Sequence, residues 1–203
     1  MDSNGFKLYN VETNPRSLRN KQNSDYFSYP KVNNYFGKGV LEVINSAALD
    51  KATNDVTLVD FRVCHINRFI TTHWLSYLKG RKLIVISDRY MIPLARFYQR
   101  KHDGFFSVLH TSIPVKMLEN EVSKASKCDV VEEALNMNTN NLLSLNTDEI
   151  ALLKQLLKGD SMTSVAKKMG ANYSQIYNRK NSLTVKMGVS SINELNRLVN
   201  RNR

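Results

Sequence analysis

Apolar residues recur along this chain with two different periods, and the change of period divides it. Between residues 35 and 125, short solid apolar runs alternate with segments of helical spacing. Tyr35–Ser46 predicts a helix, Val56–Phe61 a buried strand, Thr72–Leu78 a helix and Lys82–Ser87 a strand. Ile92–Arg100 then predicts a helix, Gly104–Leu109 a strand and Val115–Ala125 a helix. Strands that alternate with helices imply a parallel sheet flanked by helices.

From residue 144 onward the spacing is helical throughout. Ile150, Leu153, Leu156 and Leu157 form one stripe, Val165 and Met169 a second, and Ile176, Leu183 and Met187 a third. A last helix, from about Ser191 to Val199, sets Ile192, Leu195, Leu198 and Val199 on one side. That stripe suits equally a contact between subunits and packing onto the first of these helices. The fold class expected is therefore α/β followed by an all-α, four-helix unit.

Polar residues mark where the C-terminal helices begin. Asn146 precedes Glu149 by three positions and Asn172 precedes Gln175 by three, the spacing of a capping box, and Ser161 is a third cap. Gly159 and Gly170 stand where the first and second of these helices stop. On the third helix, with Ile176, Leu183 and Met187 turned to the core, Ser174, Asn178 and Asn181 point outward and Tyr177 lies on one flank.

Composition adjusts the boundaries. Residues 1–34 form a polar arm interrupted by Pro15 and Pro30, expected to be loosely ordered, with Lys7–Val11 as its one candidate strand. Residues 35–125 are the α/β domain, 126–143 a polar linker around Met137–Asn141, and 144–203 the helical domain. Cys64 and Cys128, far apart in sequence, fit a reducing compartment, and Cys64 beside His65 lacks the second pair of a structural zinc site. A buried thiol beside a satisfied histidine is the expectation there. The chain shows no apolar run of membrane-spanning length and no signal-peptide core, so a cytoplasmic protein is expected.

The net charge is +11, and residues 144–203 carry +6 of it, from ten Lys and Arg against four Asp and Glu. Such a concentration attracts the phosphate backbone of nucleic acid. Asparagine can meet an adenine edge with two hydrogen bonds, while Arg179, Lys180 and Lys186 beside the polar stripe suit phosphates.

Residues 145–189 resemble the LuxR/FixJ-type helix-turn-helix domain of bacterial transcription regulators. Leu145, Glu149, Leu152, Leu153, Gly159, Ser161, Val165, Ala166, Met169, Ile176 and Lys186 to Val189 carry the likeness. The resemblance implies that Tyr177, Asn178 and Asn181, with Ser174, enter the major groove, and that Gln175, Arg179, Lys180 and Lys186 contact the DNA backbone. The family's common Thr-Val-Lys is replaced here by Gln175, Ile176 and Tyr177, and its His by Arg179, so the operator does not carry over.

The segments around Val56–Arg62 and Arg81–Ala125 resemble the later half of a response-regulator receiver domain. That likeness puts Asp60 at the phosphoacceptor position and Ser87 at the hydroxyl position. Phosphoryl transfer also needs an acidic pair to hold Mg²⁺ and a lysine to neutralise charge. Lys7–Val11 is followed by Glu12 and Thr13, and Val108–His110 brings no lysine. Asp60 is thus expected to be a vestigial acceptor, an ordinary carboxylate whose change to Asn is silent, in a degenerate receiver regulated without phosphate and short of one strand and one helix.

With YFGKGV at Tyr35–Val40, WLSYLKGRKLIVIS at Trp74–Ser87 and the terminal helix-turn-helix, the whole chain resembles fimbrial regulators of the common-pilus type. This implies a sequence-specific activator of fimbrial or other surface-structure genes that binds promoter DNA as a homodimer, or as a heterodimer with another LuxR-type regulator, and works with RNA polymerase. An auxiliary subunit that heterodimerises through its α/β domain and a nonspecific nucleoid-type protein are the alternatives. No Gly-rich phosphate loop or paired His and carboxylate motif points to an enzyme, and no cofactor, metal or membrane partner is expected.

Overall fold

The structure is a computed structural model that describes residues 28–31, 34–46, 55–127 and 144–201. The Lys7–Val11 strand, Cys128 and most of the expected linker lie outside the described residues.

Four parallel strands form one sheet in the order β1 (Ser28–Tyr29), β2 (Val56–Phe61), β3 (Lys82–Ser87) and β4 (Phe106–His110). The inner strands are centred on β-branched residues, Val56, Thr57 and Val59 in β2 and Ile84, Val85 and Ile86 in β3. β2 and β3 are buried along nearly their whole length, as a sheet covered on both faces requires. The helices are α1 (Asn34–Ser46), α2 (Ile66–Phe69), α3 (His73–Tyr77), α4 (Ile92–Gln99) and α5 (Val115–Lys127). A 3₁₀ turn, Val63–His65, joins β2 to α2.

Side-chain alternation sorts the strands onto two cores. Val56, Leu58 and Ile84 face α1 and α5, meeting Val40, Val43, Leu118 and Val122. Val59, Phe61, Leu83 and Val85 face α2, α3 and α4. There Phe61, Phe69, Trp74 and Tyr98 pack ring on ring, with centroids 4.1 Å apart for Phe61 and Phe69 and 5.0 Å for Trp74 and Tyr98. The Tyr98 hydroxyl donates to the Phe69 carbonyl at 2.6 Å, and burial pushes its pKa up to about 12.

Two expectations are corrected. Part of the polar arm is structural: Ser28 and Tyr29 pair with Leu58 and Val59, and the Tyr29 ring sits against Phe69 and Trp74. The aromatic side chain outweighs the polar composition around it. Cys64 is half-buried, because the 3₁₀ turn holds it beyond the carboxyl end of β2 and not within the core.

The C-terminal unit is α6 (Thr147–Leu157), α7 (Met162–Lys168), α8 (Tyr173–Met187) and α9 (Ile192–Arg201). Both capping boxes form: Asn146 Oδ1 accepts from the Glu149 amide and Asn172 Oδ1 from the Gln175 amide, each at 2.8 Å. Gly170 takes φ 60° between α7 and α8, a left-handed geometry that other residues adopt only with strain. Leu152, Leu153, Val165, Ile176, Leu183, Met187 and Leu195 close the core of this unit.

That core runs on into the α2–α4 side of the sheet. The Leu145 amide donates to the Pro93 carbonyl at 3.1 Å, α8 touches α4, and α9 packs on α6 and on the 63–65 turn. Of the two uses open to the α9 stripe, packing within the chain is the one its buried Leu195 and Val199 serve.

Candidate nucleic-acid interface

The local sequence explains which face α8 turns to solvent. Its cap fixes the first turn, Ile176, Leu183 and Met187 bury one face, and the polar side faces solvent. Ser174, Gln175, Tyr177, Asn178 and Asn181 are all exposed. Two aromatic rings stand among them, Tyr173 at 54% exposure and Tyr177 at 45%.

The cations beside this face are not equivalent. Lys180 holds its ammonium 4.7 Å from the centre of the Tyr177 ring, which presents both side chains on the same surface. Arg179 Nη1 lies 3.2 Å from Asp148 Oδ2, but both groups are well exposed, so the pair is weak and a phosphate can displace it. The Gln175 side-chain oxygen accepts from the Asn172 amide, which uses it in the cap.

Lys186 departs from the expectation that it faces phosphate. Its ammonium turns inward, 2.8 Å from Glu149 Oε1 and 2.9 Å from Oε2, and donates to the Ser144 carbonyl at 3.2 Å. Glu149 is a buried hub: besides Lys186 it accepts from the Ser182 hydroxyl and from the Asn146 amide. Helical spacing places Ser182 and Lys186 four residues apart on one side of α8, the side that faces α6. Sequence reasoning missed Glu149 in this role because a capping-box glutamate is ordinarily solvent-exposed.

A second polar site lies at the carboxyl end of the sheet. Asp60 is buried in β2, and Arg62 grips both of its oxygens, Nε to Oδ1 and Nη2 to Oδ2, each at 2.6 Å. His65 Nε2 is 3.4 Å from Oδ2. Burial alone raises a carboxyl pKa; the Arg62 hydrogen bonds and charge, with His65 close by, outweigh it and hold Asp60 at about 2. The residue is therefore not the ordinary carboxylate expected but one end of a fork-to-fork ion pair. Spacing contained the signal, since residues two apart at a strand end point the same way.

Ser87 spends its hydroxyl on backbone, donating to the Asp88 carbonyl at 3.0 Å and facing the Phe61 carbonyl at 3.4 Å. Asp88 accepts from the Val63 and Met91 amides, yet burial still raises its pKa. Among the described residues, no group of three His, Cys, Asp or Glu side chains is placed to hold a metal ion. No helix of the described residues is long and apolar enough to cross a membrane.

Comparison with known proteins places these sites in context. The family model for the EcpR N-terminal domain matches residues 9–126. The chain is 23% identical over 186 residues to the uncharacterized protein YqeH of Escherichia coli (strain K12), covering 91% of this chain and 85% of that one. It is also 23% identical over 166 residues to the Vi polysaccharide biosynthesis protein TviA of Salmonella typhi, covering 79% and 88%. Among solved structures, the response regulator RcsB in complex with DNA gives a TM-score of 0.34 at 15% identity, over 80% of this chain and 81% of that one. RcsB from Salmonella enterica serovar Typhimurium, bound to promoter rprA with BeF3-, gives 0.33 at 17%, over 80% and 81%.

Proposed function

The chain belongs to the EcpR N-terminal domain family, and from that premise we propose that it is a sequence-specific transcription regulator whose C-terminal helices form a helix-turn-helix. The exposed face of α8 carries this reading: Ser174, Tyr177, Asn178 and Asn181 project from a capped helix, flanked by Arg179 and Lys180. The amides suit base edges, and the cations suit phosphates. A relative named for Vi polysaccharide biosynthesis fits target genes that build a surface structure, fimbriae included, with the chain acting as an activator.

The test compares two neighbours on one helix. Chromosomal crosslinking of the tagged protein supplies the operator. On it, Asn178→Ala should cost about 1–3 kcal/mol and much less on random duplex, whereas Arg179→Ala should weaken both alike. Equal losses on the two DNAs for Asn178→Ala would remove it from base reading. A nonspecific nucleoid protein would show operator and random DNA within a small factor of each other at the same salt.

The α/β domain acts, in this proposal, without phosphorylation. The Asp60 oxygens are already engaged by a guanidinium, so attack on a phosphoryl donor first requires breaking that pair. Incubating the full chain with acetyl phosphate and Mg²⁺ should leave its intact mass unchanged. A stoichiometric adduct on Asp60 that alters DNA affinity would overturn the proposal.

A further inference from the structure

At the opposite end of the sheet from Asp60, a cleft of about 530 Å³ opens between the end of α3, the loop before β3 and the loop before β4. Its volume falls in the range of small-molecule sites, roughly 300–1,000 Å³. The lining is lopsided in charge. Lys79, Arg81, Lys82 and Lys101 contribute four cations, and Asp103 is the only acid among the described lining residues.

These cations differ in freedom. Arg81 is braced by the Thr57 hydroxyl at 2.6 Å, and Lys82, buried, reaches Asp55 at 3.3 Å. Both are held in the wall. Lys79 and Lys101 are exposed at the rim, the latter with its ammonium 4.3 Å from the centre of the Phe97 ring. Leu75 and Phe105 add apolar surface to the lining. His102 ties the two loops together through its Nε2, 3.0 Å from the Arg81 carbonyl, and burial lowers its pKa, so it joins the walls without adding charge at neutral pH.

We propose that this cleft binds a small organic anion, a carboxylate or phosphate ester with an apolar body, as the effector of the α/β domain. A concave site lined by one sign of charge concentrates counter-ions of the other, and its apolar wall favours more than a bare ion. The site is also wired to the helical unit. Arg100, immediately before the 101–105 wall, donates to the Ser144 hydroxyl at 2.7 Å and to the Leu145 carbonyl at 3.0 Å. Ser144 in turn accepts from Lys186 of α8. A ligand that moves the 101–105 loop therefore pulls on the segment that seats α8.

The full chain is titrated calorimetrically with adenosine monophosphate, hexanoate, inorganic phosphate and uncharged adenosine. The expected result is saturable binding of adenosine monophosphate or hexanoate tighter than about 1 mM, with adenosine silent and inorganic phosphate weaker. Which of the two organic probes binds identifies the anionic group. The double variant Lys79→Gln, Lys101→Gln, at exposed positions that leave the fold intact, should weaken binding at least about tenfold, the loss expected for a charge-assisted contact. Arg179→Ala with Lys180→Ala should leave it unchanged, which separates the cleft from anion binding on α8. Saturable binding that survives the rim variant, equal binding of adenosine, or none of the four probes binding would each overturn the proposal, whatever the chain does with DNA.

Discussion

Lys186→Met is expected to destabilise the C-terminal helices severely, by about 3–5 kcal/mol, because it leaves the buried Glu149 carboxylate without its cation. Total stabilities of domains this size are about 5–15 kcal/mol, so the loss is a large share. Methionine replaces most of the stem's volume, and the cost therefore reports the lost charge and not a cavity. The alternative is a phosphate contact made by Lys186. A phosphate contact would lower DNA affinity and reduce the salt slope by about one while leaving the melting curve alone. Urea unfolding of the variant beside its salt-dependent DNA titration separates the two. A wild-type unfolding curve would show that Glu149 does not need this partner.

Arg62→Ala should cost about 3 kcal/mol at neutral pH, the low end for a broken buried pair, since Arg62 is itself 39% exposed while Asp60 is 1%. The pH dependence gives the prediction its sign. Asp60 is held at about 2, below its ordinary range, so its contribution is present above about pH 4 and lost as pH falls through about 2. That contribution is on the order of 2 kcal/mol at neutral pH. Removing the guanidinium moves the carboxyl up, so the gap between variant and native protein should narrow steadily from pH 5 to about 2. Denaturant unfolding across that interval measures it. A gap that stays constant with pH would mean that Arg62 stabilises through packing of its stem alone.

The elements most legible in the sequence were those whose pattern is purely local. Val56–Phe61 and Lys82–Ser87 are short, mostly apolar runs rich in β-branched residues and occupy the strands expected of them. Both Asn caps sit three residues before the side chain that answers them, a relation complete within one turn. The Ser28–Tyr29 strand was hidden because two residues make no pattern, and its place depends on Phe69 and Trp74, some forty residues away. The 63–65 turn follows from Asp88 accepting the Val63 amide, a contact across the sheet that no window of sequence contains.

The candidate site on α8 divides along the same line. The outward side of α8 follows from a helical wheel, and its polar residues are exposed as the wheel requires. The fate of Lys186 does not, because a wheel gives direction but not the depth of the neighbouring surface, and Glu149 waits there on another helix. Asp60 and Arg62 stand two apart, so alternation along β2 places both on one side, whereas the pairing of the carboxylate with a guanidinium depends on the strand's end and not on the acceptor position alone.

Arg62 makes this domain self-sufficient. β2 ends in a counterion that is part of the polypeptide itself, held two residues from the carboxylate it neutralises. The shape of the sheet at that end is then set by a charge carried on the same strand, so the loss of an ion from the surroundings does not loosen it.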